Sequence, residues 1–353
     1  MFLVFVKFMT TLDKPELIKA LDKSNLAGFI SELPVQISSS LKKIEKISLP
    51  PSWKQVKNIC LCGMGGSALA NHLITNLPLR DKRIPMKVVR DYSIPAWVNK
   101  ESLVILTSHS GQTQETISAF KCAAEQEAKI FIIAERGELE KLGAKEAAIV
   151  FDYDTQAPPR ASLGYQFGAV FGLLNKLKII NYEIHPALGL LKRLNKELVP
   201  EVETENNLAK NLSYCCFDRL PIIVASGILK SVAWRWKTQF NENAKKFTFV
   251  EFLPEAMHNA IQGFEFPARF ADDLIYLILQ NSFDPPELVS QFNKFKNILD
   301  EKKIRYEIIE SAGESIFSQK LSLLLLGDWV SFYLAMLNNT DPTPVEVIEK
   351  VKK

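Results

Sequence analysis

Short, fully apolar runs alternate with helical stretches over most of this chain of 353 residues. A strand that is apolar on both faces must be covered on both faces, and helices between parallel strands provide that cover. In the first half the apolar runs are NICLCG, MKVVRD, SLVILTSHSG, KIFIIAE and AAIVFDY. The alternation therefore predicts an α/β fold, with a doubly wound parallel sheet and helices on both of its faces.

The alternation begins again in the second half of the chain. Its apolar runs are RLPIIVAS, FTFVEF, DDLIYLILQ and RYEIIES, with helical stretches predicted from Ile228 to Gln239 and from Pro286 to Leu299. We find no residue-level repeat between the halves, but their plan is the same. The sequence therefore predicts a second α/β unit.

The expected domains follow from these two units. We expect one domain over residues 51–190 and another over residues 205–353, connected by the polar stretch from Lys192 to Asn211. Residues 11–50 have the apolar spacing of helices and end at two prolines, which predicts an N-terminal helical arm over residues 1–50.

Composition excludes several classes of protein. With 47% hydrophobic and 24% charged residues, the chain is neither disordered nor fibrous. The net charge of +3 is spread along the chain without a basic block, so a nucleic-acid partner is not expected. The five cysteines form no C-x-x-C pair, which favours free thiols in a reducing compartment over disulfides or zinc, and hence a cytoplasmic protein.

The N-terminal segment MFLVFVKFM is apolar but includes Lys7. Since no small-residue cleavage site follows, a short extension ahead of Met9 is favoured over a signal peptide, and Met9 is a second candidate for the first residue. We see no other run of about 18 apolar residues and therefore expect no membrane span.

A glycine-rich turn, Gly63–Ala68, follows the first apolar run and opens a helical stretch. Backbone N–H groups at such a helix start attract anions. The pattern also fits a loose dinucleotide motif, in which Asp91 would bind a ribose, or it is simply a tight turn. By itself this turn leaves nucleotide, other phosphate and purely structural roles open.

A second loop, Thr107–Thr113, has the sequence TSHSGQT and also lies between an apolar run and a helical stretch. A helix cap needs only one hydroxyl, whereas this loop offers four. Since no lysine or arginine occurs between Lys100 and Lys121, a phosphate would be held by hydroxyls, amides and the helix dipole. The two loops together indicate phosphate binding.

GMGGSA followed by SHSGQTQET resembles the sugar isomerase (SIS) domain, a doubly wound fold that binds phosphosugars. PPRASLGYQFG, FNENAKKF and LPEAMHNAIQGFE are similar to segments of the bifunctional phosphoglucose/phosphomannose isomerases, which consist of two SIS domains. The resemblance implies interconversion of glucose 6-phosphate and mannose 6-phosphate with fructose 6-phosphate through a cis-enediol, without metal or organic cofactor. It also implies a homodimer with a role in glycolysis and gluconeogenesis.

The resemblance assigns roles to individual residues. It implies that the sugar phosphate is held by Gly66, Ser67, Ser108, Ser110 and Thr113. Near the C-terminus, it implies that the closing helix carries a lysine that reaches the active site.

Three further residues carry the chemistry implied by the resemblance. Glu242 matches the catalytic base, His258 the histidine of ring opening, and Arg160 the cation that stabilises the enediolate. Moving one proton between C1 and C2 needs a single carboxylate, and a fixed cation stabilises charge that develops near the transition state. The segment around His258 departs from the family, since Met257 and Ala260 replace an asparagine and an acid.

Each of these residues also has a structural alternative. Glu242 fits a solvated helical glutamate, His258 a core or capping histidine, and Arg160 a surface-loop residue. Thr343 is a candidate for the small polar residue that leaves room for either C2 epimer. Thr343 and Lys350 are seven residues apart, two helical turns on the same face, which favours Lys350 over Lys352 as the site lysine. The structural alternative for Lys350 is a solvated charge near a helix C-terminus.

Two other functions compete with the isomerase. One is a non-catalytic phosphosugar regulator built on SIS domains, although such regulators commonly carry a DNA-binding module that this sequence does not indicate. The other is a nucleotide-dependent oxidoreductase based on Gly63–Ala68 and Asp91. Binding without turnover would favour the regulator, and binding of a nicotinamide the oxidoreductase.

Overall fold

The computed structural model describes residues 11–78, 84–267 and 270–352. The predicted N-terminal extension before Met9 lies outside these residues. The chain divides into two compact units: the first unit is Glu32–Glu183, and the second unit is Ile184–Lys353 together with the described part of Met1–Ser31. The arm predicted over residues 1–50 is therefore divided between the two units.

Within the described residues there are fourteen α-helices and nine β-strands. The helices are α1 Pro15–Leu21, α2 Leu26–Ser31, α3 Leu33–Lys46, α4 Gly65–Thr75, α5 Gln114–Glu125, α6 Glu138–Lys145, α7 Leu163–Lys176, α8 His185–Leu198, α9 Leu208–Cys216, α10 Lys230–Glu242, α11 Phe270–Asp273, α12 Pro286–Glu301, α13 Ile316–Leu337 and α14 Glu346–Lys352. The strands are β1 Asn58–Gly63, β2 Met86–Val89, β3 Ser102–Ser108, β4 Lys129–Ala134, β5 Ile149–Asp152, β6 Leu220–Ala225, β7 Phe249–Phe252, β8 Leu274–Gln280 and β9 Arg305–Glu310.

The first unit is built on a parallel sheet in the order β2-β1-β3-β4-β5. Every residue of β3 is buried, as expected for a strand covered by helices on both faces. Each of the five predicted runs forms a strand of this sheet, and the predicted α/β class is confirmed. The order changes direction beside β1 and β3, and ligands bind at such switch points in open parallel sheets.

Close helix packing explains why residues after Glu32 belong to the first unit. Helix α7 presents glycines to α3: a Cβ at Gly164 would lie 2.7 Å from the Gln36 side chain, and one at Gly168 would lie 2.9 Å from the carbonyl oxygen of Ile37. No larger residue fits at these positions without separating the helices. Helix α3 is thereby an integral part of the first unit.

The second unit has a parallel sheet in the order β7-β6-β8-β9. Its strands match the four apolar runs predicted in the second half of the chain. One face packs on helix α12 through a core that includes Tyr276, Phe292 and Phe295. The prediction of a second α/β unit is confirmed by this sheet.

The polar stretch from Lys192 to Asn211 is not a linker, so that prediction was wrong. Its first part completes α8 and its last part begins α9, and both helices belong to the second unit. Leucines at helical spacing explain the difference, because Leu188, Leu191 and Leu198 are buried while the charged residues between them are exposed.

The longest described helix, α13, is buried along its whole length. By length and hydropathy alone it could cross a membrane, but the most apolar window of 18 residues is 100% buried inside the protein. Helices α8, α9 and α10 pack around it. This environment is that of the core helix of a globular unit.

Candidate functional site

The two predicted phosphate loops of the first unit begin side by side. Gly63 at the end of β1 is paired with Thr107 near the end of β3, and adjacent strands lie about 4.8 Å apart. Helix α4 starts at Gly65 and helix α5 at Gln114, so both loops lead directly into helices. Neither helix start has a side-chain cap, which leaves N–H groups for an anion.

The hydroxyls of the second loop have different partners. Ser108 Oγ and Thr113 Oγ1 lie 2.9 Å apart, and Ser108 Oγ accepts a hydrogen bond from the Gly111 amide at 3.1 Å. Ser110, which is exposed, accepts from the Gln112 amide at 3.2 Å. The hydroxyls of Ser108, Ser110 and Thr113 therefore all have hydrogen-bond partners within the loop.

Thr107 differs from the other three hydroxyl residues. It is fully buried, and its hydroxyl donates to Asn71 Oδ1 on α4 at 3.5 Å. This bond lies behind the loop, between β3 and α4, and links the strand under one loop to the helix that follows the other.

Gly111 is required by the path of this loop. Its φ is +63°, and a Cβ there would collide with the carbonyl oxygen of Arg136. The loop is thus held against the end of β4, where the Glu135 amide donates to the His109 carbonyl at 3.1 Å.

Gly66, Ser67 and Arg160 come together on the other side of the site. Arg160 lies in the 3-10 turn Pro159–Ala161 and is only 4% exposed, so it is not a surface-loop residue. A Cβ at Gly66 would be 3.7 Å from the Cα of Arg160, which shows how closely the glycine turn approaches it. Ser67 follows in the first turn of α4 and is buried.

A chain of buried polar side chains leads away from Ser67, and sequence reasoning missed it. Gln166 Nε2 donates to Ser67 Oγ at 3.2 Å and to the Tyr153 hydroxyl at 2.9 Å. The Tyr153 hydroxyl also lies 3.1 Å from His109 Nδ1, and His109 Nε2 lies 3.4 Å from a carboxylate oxygen of Glu135. No sequence pattern indicates this chain, since its members come from five separate elements or loops.

Burial shifts the pKa values of His109 and Tyr153, two members of this hydrogen-bonded series, toward their neutral forms. Burial lowers the pKa of His109 below its ordinary value, and the nearby Glu135 carboxylate only partly opposes that effect. Burial likewise raises the pKa of the Tyr153 hydroxyl. His109 is therefore a neutral imidazole at neutral pH, with one donor and one acceptor nitrogen.

Glu242 is the last residue of α10 in the second unit and is half-buried. Lys245 Nζ donates to the Glu242 carbonyl at 3.0 Å and to the carbonyls of Asp341 and Pro342 at 2.8 Å and 3.2 Å. The ammonium group thereby holds the segment that leads into Thr343 beside the end of α10. Lys245 thus bonds both to the backbone at the end of α10 and to the backbone just before Thr343.

His258 is exposed at the end of the 3-10 turn Glu255–His258. It is therefore not a core histidine. The two departures from the family pattern face the other way: Met257 and Ala260 pack against the apolar core around Leu253 and Tyr276. The apolar replacements suit these inward positions.

The helical spacing argument for Lys350 was wrong. Helix α14 begins at Glu346, so Thr343 lies before it, and the seven-residue interval does not put the two side chains on one helical face. Pro344 explains why Thr343 lies outside the helix, because the residue before a proline avoids helical backbone angles. Lys350 is exposed, and the side chain of Lys352 lies outside the described residues.

The acidic, histidine and cysteine side chains do not gather into a metal centre in the described part of the chain. Across residues 11–78, 84–267 and 270–352, no group of three or more His, Cys, Asp or Glu side chains is arranged to hold a metal ion. The five cysteines are free, and Cys60 and Cys62 lie with their Sγ atoms 3.6 Å apart inside the first core. Asp91, the ribose ligand of the nucleotide alternative, is exposed and accepts from the Tyr92 amide at 2.6 Å.

Comparison with known proteins first defines the class of this fold. Residues 205–353 match the family model of the bacterial phospho-glucose isomerase C-terminal SIS domain. The crystal structure of a glucose-6-phosphate isomerase like protein from Thermus thermophilus superposes with a TM-score of 0.63 at 19% identity, covering 96% of this chain and 98% of that one. Residues 205–353 are thus similar to an SIS domain, and the chain has the same fold as the Thermus protein.

Sequence relatives then define the family. A bifunctional phosphoglucose/phosphomannose isomerase from Caldicellulosiruptor bescii is 34% identical over 327 residues, which cover 92% of this chain and 96% of the relative. Another from Aquifex aeolicus is 30% identical over 298 residues, covering 84% and 90%. The chain belongs to the family of bifunctional phosphoglucose/phosphomannose isomerases.

Proposed function

We propose that this protein is an aldose-ketose isomerase that interconverts glucose 6-phosphate and mannose 6-phosphate with fructose 6-phosphate. The observation that carries the proposal is the hydroxyl loop of the first unit above the uncapped start of α5. Free N–H groups, the helix dipole and several hydroxyls suit a sugar phosphate, and they bind it without a lysine in the loop. Family membership supports the same substrates.

In this proposal Gly66, Ser67, Ser108, Ser110 and Thr113 hold the phosphate. The glycine turn lies beside Arg160, where a Cβ at Gly66 would be in ordinary van der Waals contact with the Arg160 Cα, and this proximity supports the use of the turn's backbone amides at the same site. Because the bound phosphate anchors one end of the substrate, it restricts where the reacting carbons C1 and C2 can lie.

The proposed chemistry transfers one proton between C1 and C2. Glu242 removes the proton from one carbon and returns it to the other, while the hydroxyl proton moves between O1 and O2 of the cis-enediol, so substrate and enzyme both balance at the end of the cycle. Arg160 stabilises the negative charge of the enediolate, and its burial supports that role because a cation acts more strongly where water is excluded. His258 assists ring opening by passing a proton to the ring oxygen.

Two assignments near the C-terminus complete the proposal. Thr343 provides a small polar position for either epimer at C2, and its fixed approach to the end of α10 through Lys245 supports this role. Lys350 is assigned to the site from the family resemblance alone.

We further propose a cytoplasmic homodimer. Five free cysteines support a reducing compartment, and the family resemblance supports the dimer. Light scattering of the purified protein tests the second point, since a homodimer should have twice the chain mass of 39.9 kDa.

A coupled assay with fructose 6-phosphate tests the function. The formation of glucose 6-phosphate and of mannose 6-phosphate is followed separately, with and without a metal chelator. We expect both products at rates that the chelator does not change. Binding of fructose 6-phosphate without either product would overturn the isomerase and favour the phosphosugar regulator.

A further inference from the structure

We propose that Gln166 is a positioning residue that holds the Ser67 hydroxyl as a hydrogen-bond donor toward the substrate phosphate. In the same proposal Tyr153 and His109 fix the orientation of the Gln166 amide. The inference rests on the proposed function in one respect, namely that Ser67 binds the phosphate. It assigns a role to three residues that do not contact the substrate themselves, namely Gln166, Tyr153 and His109.

The first step is the direction of the bond between Gln166 and Ser67. Gln166 lies on α7, is completely buried, and places Nε2 3.2 Å from Ser67 Oγ and 2.9 Å from the Tyr153 hydroxyl. An amide nitrogen has two hydrogens and accepts none, so it donates one to each oxygen. Because Ser67 Oγ accepts, its own hydrogen is left to bind an anion.

The second step concerns what keeps the Gln166 amide from rotating and exchanging the positions of Nε2 and Oε1. Tyr153 accepts from Gln166, so its hydrogen goes to His109 Nδ1 at 3.1 Å. The neutral imidazole then donates from Nε2 toward Glu135, 3.4 Å away. Tyr165 stacks on the Tyr153 ring with centroids 5.2 Å apart and fixes its position. Each group in this chain has one consistent direction of donation.

A comparison with Gln36 separates this arrangement from ordinary core packing. Gln36 is also buried in the first unit, but its Nε2 donates to the Ala161 carbonyl at 3.0 Å and its Oε1 accepts from the Gly164 amide at 3.1 Å. Gln166 Oε1 has no hydrogen-bond partner among the described residues. A buried amide oxygen without a partner is unfavourable, so the fold tolerates a cost to keep Nε2 on the two hydroxyls.

A double-mutant cycle tests whether Gln166 acts through Ser67. The variants are Gln166→Met, Ser67→Ala and the two combined, measured in the whole protein by KM for fructose 6-phosphate and by the dissociation constant of inorganic phosphate from calorimetry. We expect Gln166→Met to raise both constants about tenfold, with kcat within about twofold of the wild type. In the Ser67→Ala background the same change should have no further effect.

Two further variants keep the test decisive. Asn175 lies on the same helix as Gln166, and its amide bonds to the backbone of Tyr182 beyond the helix end, so Asn175→Leu should change neither constant. If Gln166→Met does not unfold cooperatively, Tyr153→Phe replaces it in the cycle, since it removes the hydroxyl that orients the amide. Its effect should be about threefold and should also vanish with Ser67→Ala.

The outcomes also separate this inference from the proposed function. An equal rise with and without the Ser67 hydroxyl would overturn the positioning role, because Gln166 would then support only the fold. A protein that binds inorganic phosphate with the expected coupling but turns over no sugar would support the positioning role and overturn the isomerase.

Discussion

The hydroxyl oxygens of Ser108 and Thr113 lie 2.9 Å apart and close the loop between β3 and α5. Thr113 occupies the residue before the helix, yet its side chain does not cap α5. Its hydroxyl instead faces the loop interior beside the first free amides of the helix. This relationship favours ligand binding over capping as the role of Thr113.

Replacing Thr113 with valine should weaken phosphate binding more than catalysis. The change keeps the shape but removes one hydroxyl, so we expect KM for fructose 6-phosphate to rise about tenfold while kcat changes less. Competitive inhibition by inorganic phosphate should weaken in parallel. Thr116→Val is the matched control, because the buried Thr116 hydroxyl has no partner among the described residues. A change in kcat alone would contradict the role of Thr113.

Glu242→Gln should abolish turnover while leaving phosphosugar binding nearly intact. A glutamine cannot take up the C1 or C2 proton, and removing a general base typically costs about 10²–10⁴ in rate. The loss should appear in kcat, measured with fructose 6-phosphate, and in the exchange of the substrate proton with deuterated solvent.

A glutamate at an equivalent position provides the control for that variant. Glu301 ends α12 as Glu242 ends α10, and it is exposed. Glu301→Gln should retain full activity. Full activity of Glu242→Gln would instead remove Glu242 from the mechanism.

Arg160→Ala should lower kcat more than it raises KM, since the charge that Arg160 stabilises develops mainly in the transition state. Losing such a donor costs about 10²–10³ in kcat. Because Arg160 is buried, Arg160→Lys is measured beside it to separate loss of charge from loss of packing. The exposed Arg90 provides a control, and Arg90→Ala should leave both constants unchanged. A rise in KM alone would make Arg160 a ground-state binding residue.

Much of the fold follows from local sequence pattern, but not all of it. The apolar runs predict the central strands most clearly because a central parallel strand is buried on both faces, so its apolar pattern is continuous. Helix α13 escapes the same reasoning: all its faces are buried, so it has no helical period that would distinguish it from other apolar runs. The end of helix α8 was missed for a different reason. Its charged residues suggest a linker, although its leucines have the spacing of an amphipathic helix.

The candidate site likewise combines residues that are adjacent in sequence with contacts between residues far apart in sequence. The loop hydroxyls and Gly111 are adjacent in sequence, so their clustering can be predicted. The contacts of Gln166 with Ser67 and Tyr153 join residues 99 and 13 positions apart, and no local pattern encodes them. Thr343 shows the converse, since a spacing that suggests one helical face fails because Pro344 keeps Thr343 out of the helix.

The buried His109 should make the stability of the protein depend on pH. Its pKa in the folded state lies below the ordinary value of 6.5, because burial disfavours the charged imidazolium. Between the lowered pKa and 6.5 the unfolded chain binds more protons than the folded one, so the free energy of unfolding rises with pH in that window. The stability is fully present above the window and decreases as the pH falls through it.

Thermal unfolding of the wild type and of His109→Asn, followed from about pH 7.5 to about pH 5.5, measures this contribution. The wild type should lose more stability over that interval than the variant, since other titrating groups are common to both. His185→Asn, at an exposed residue at the start of α8, is measured beside it as the control for the substitution itself. Identical slopes for the wild type and His109→Asn would mean that His109 titrates alike in the folded and unfolded chains. That result would contradict the inference that a neutral His109 orients the Tyr153 hydroxyl.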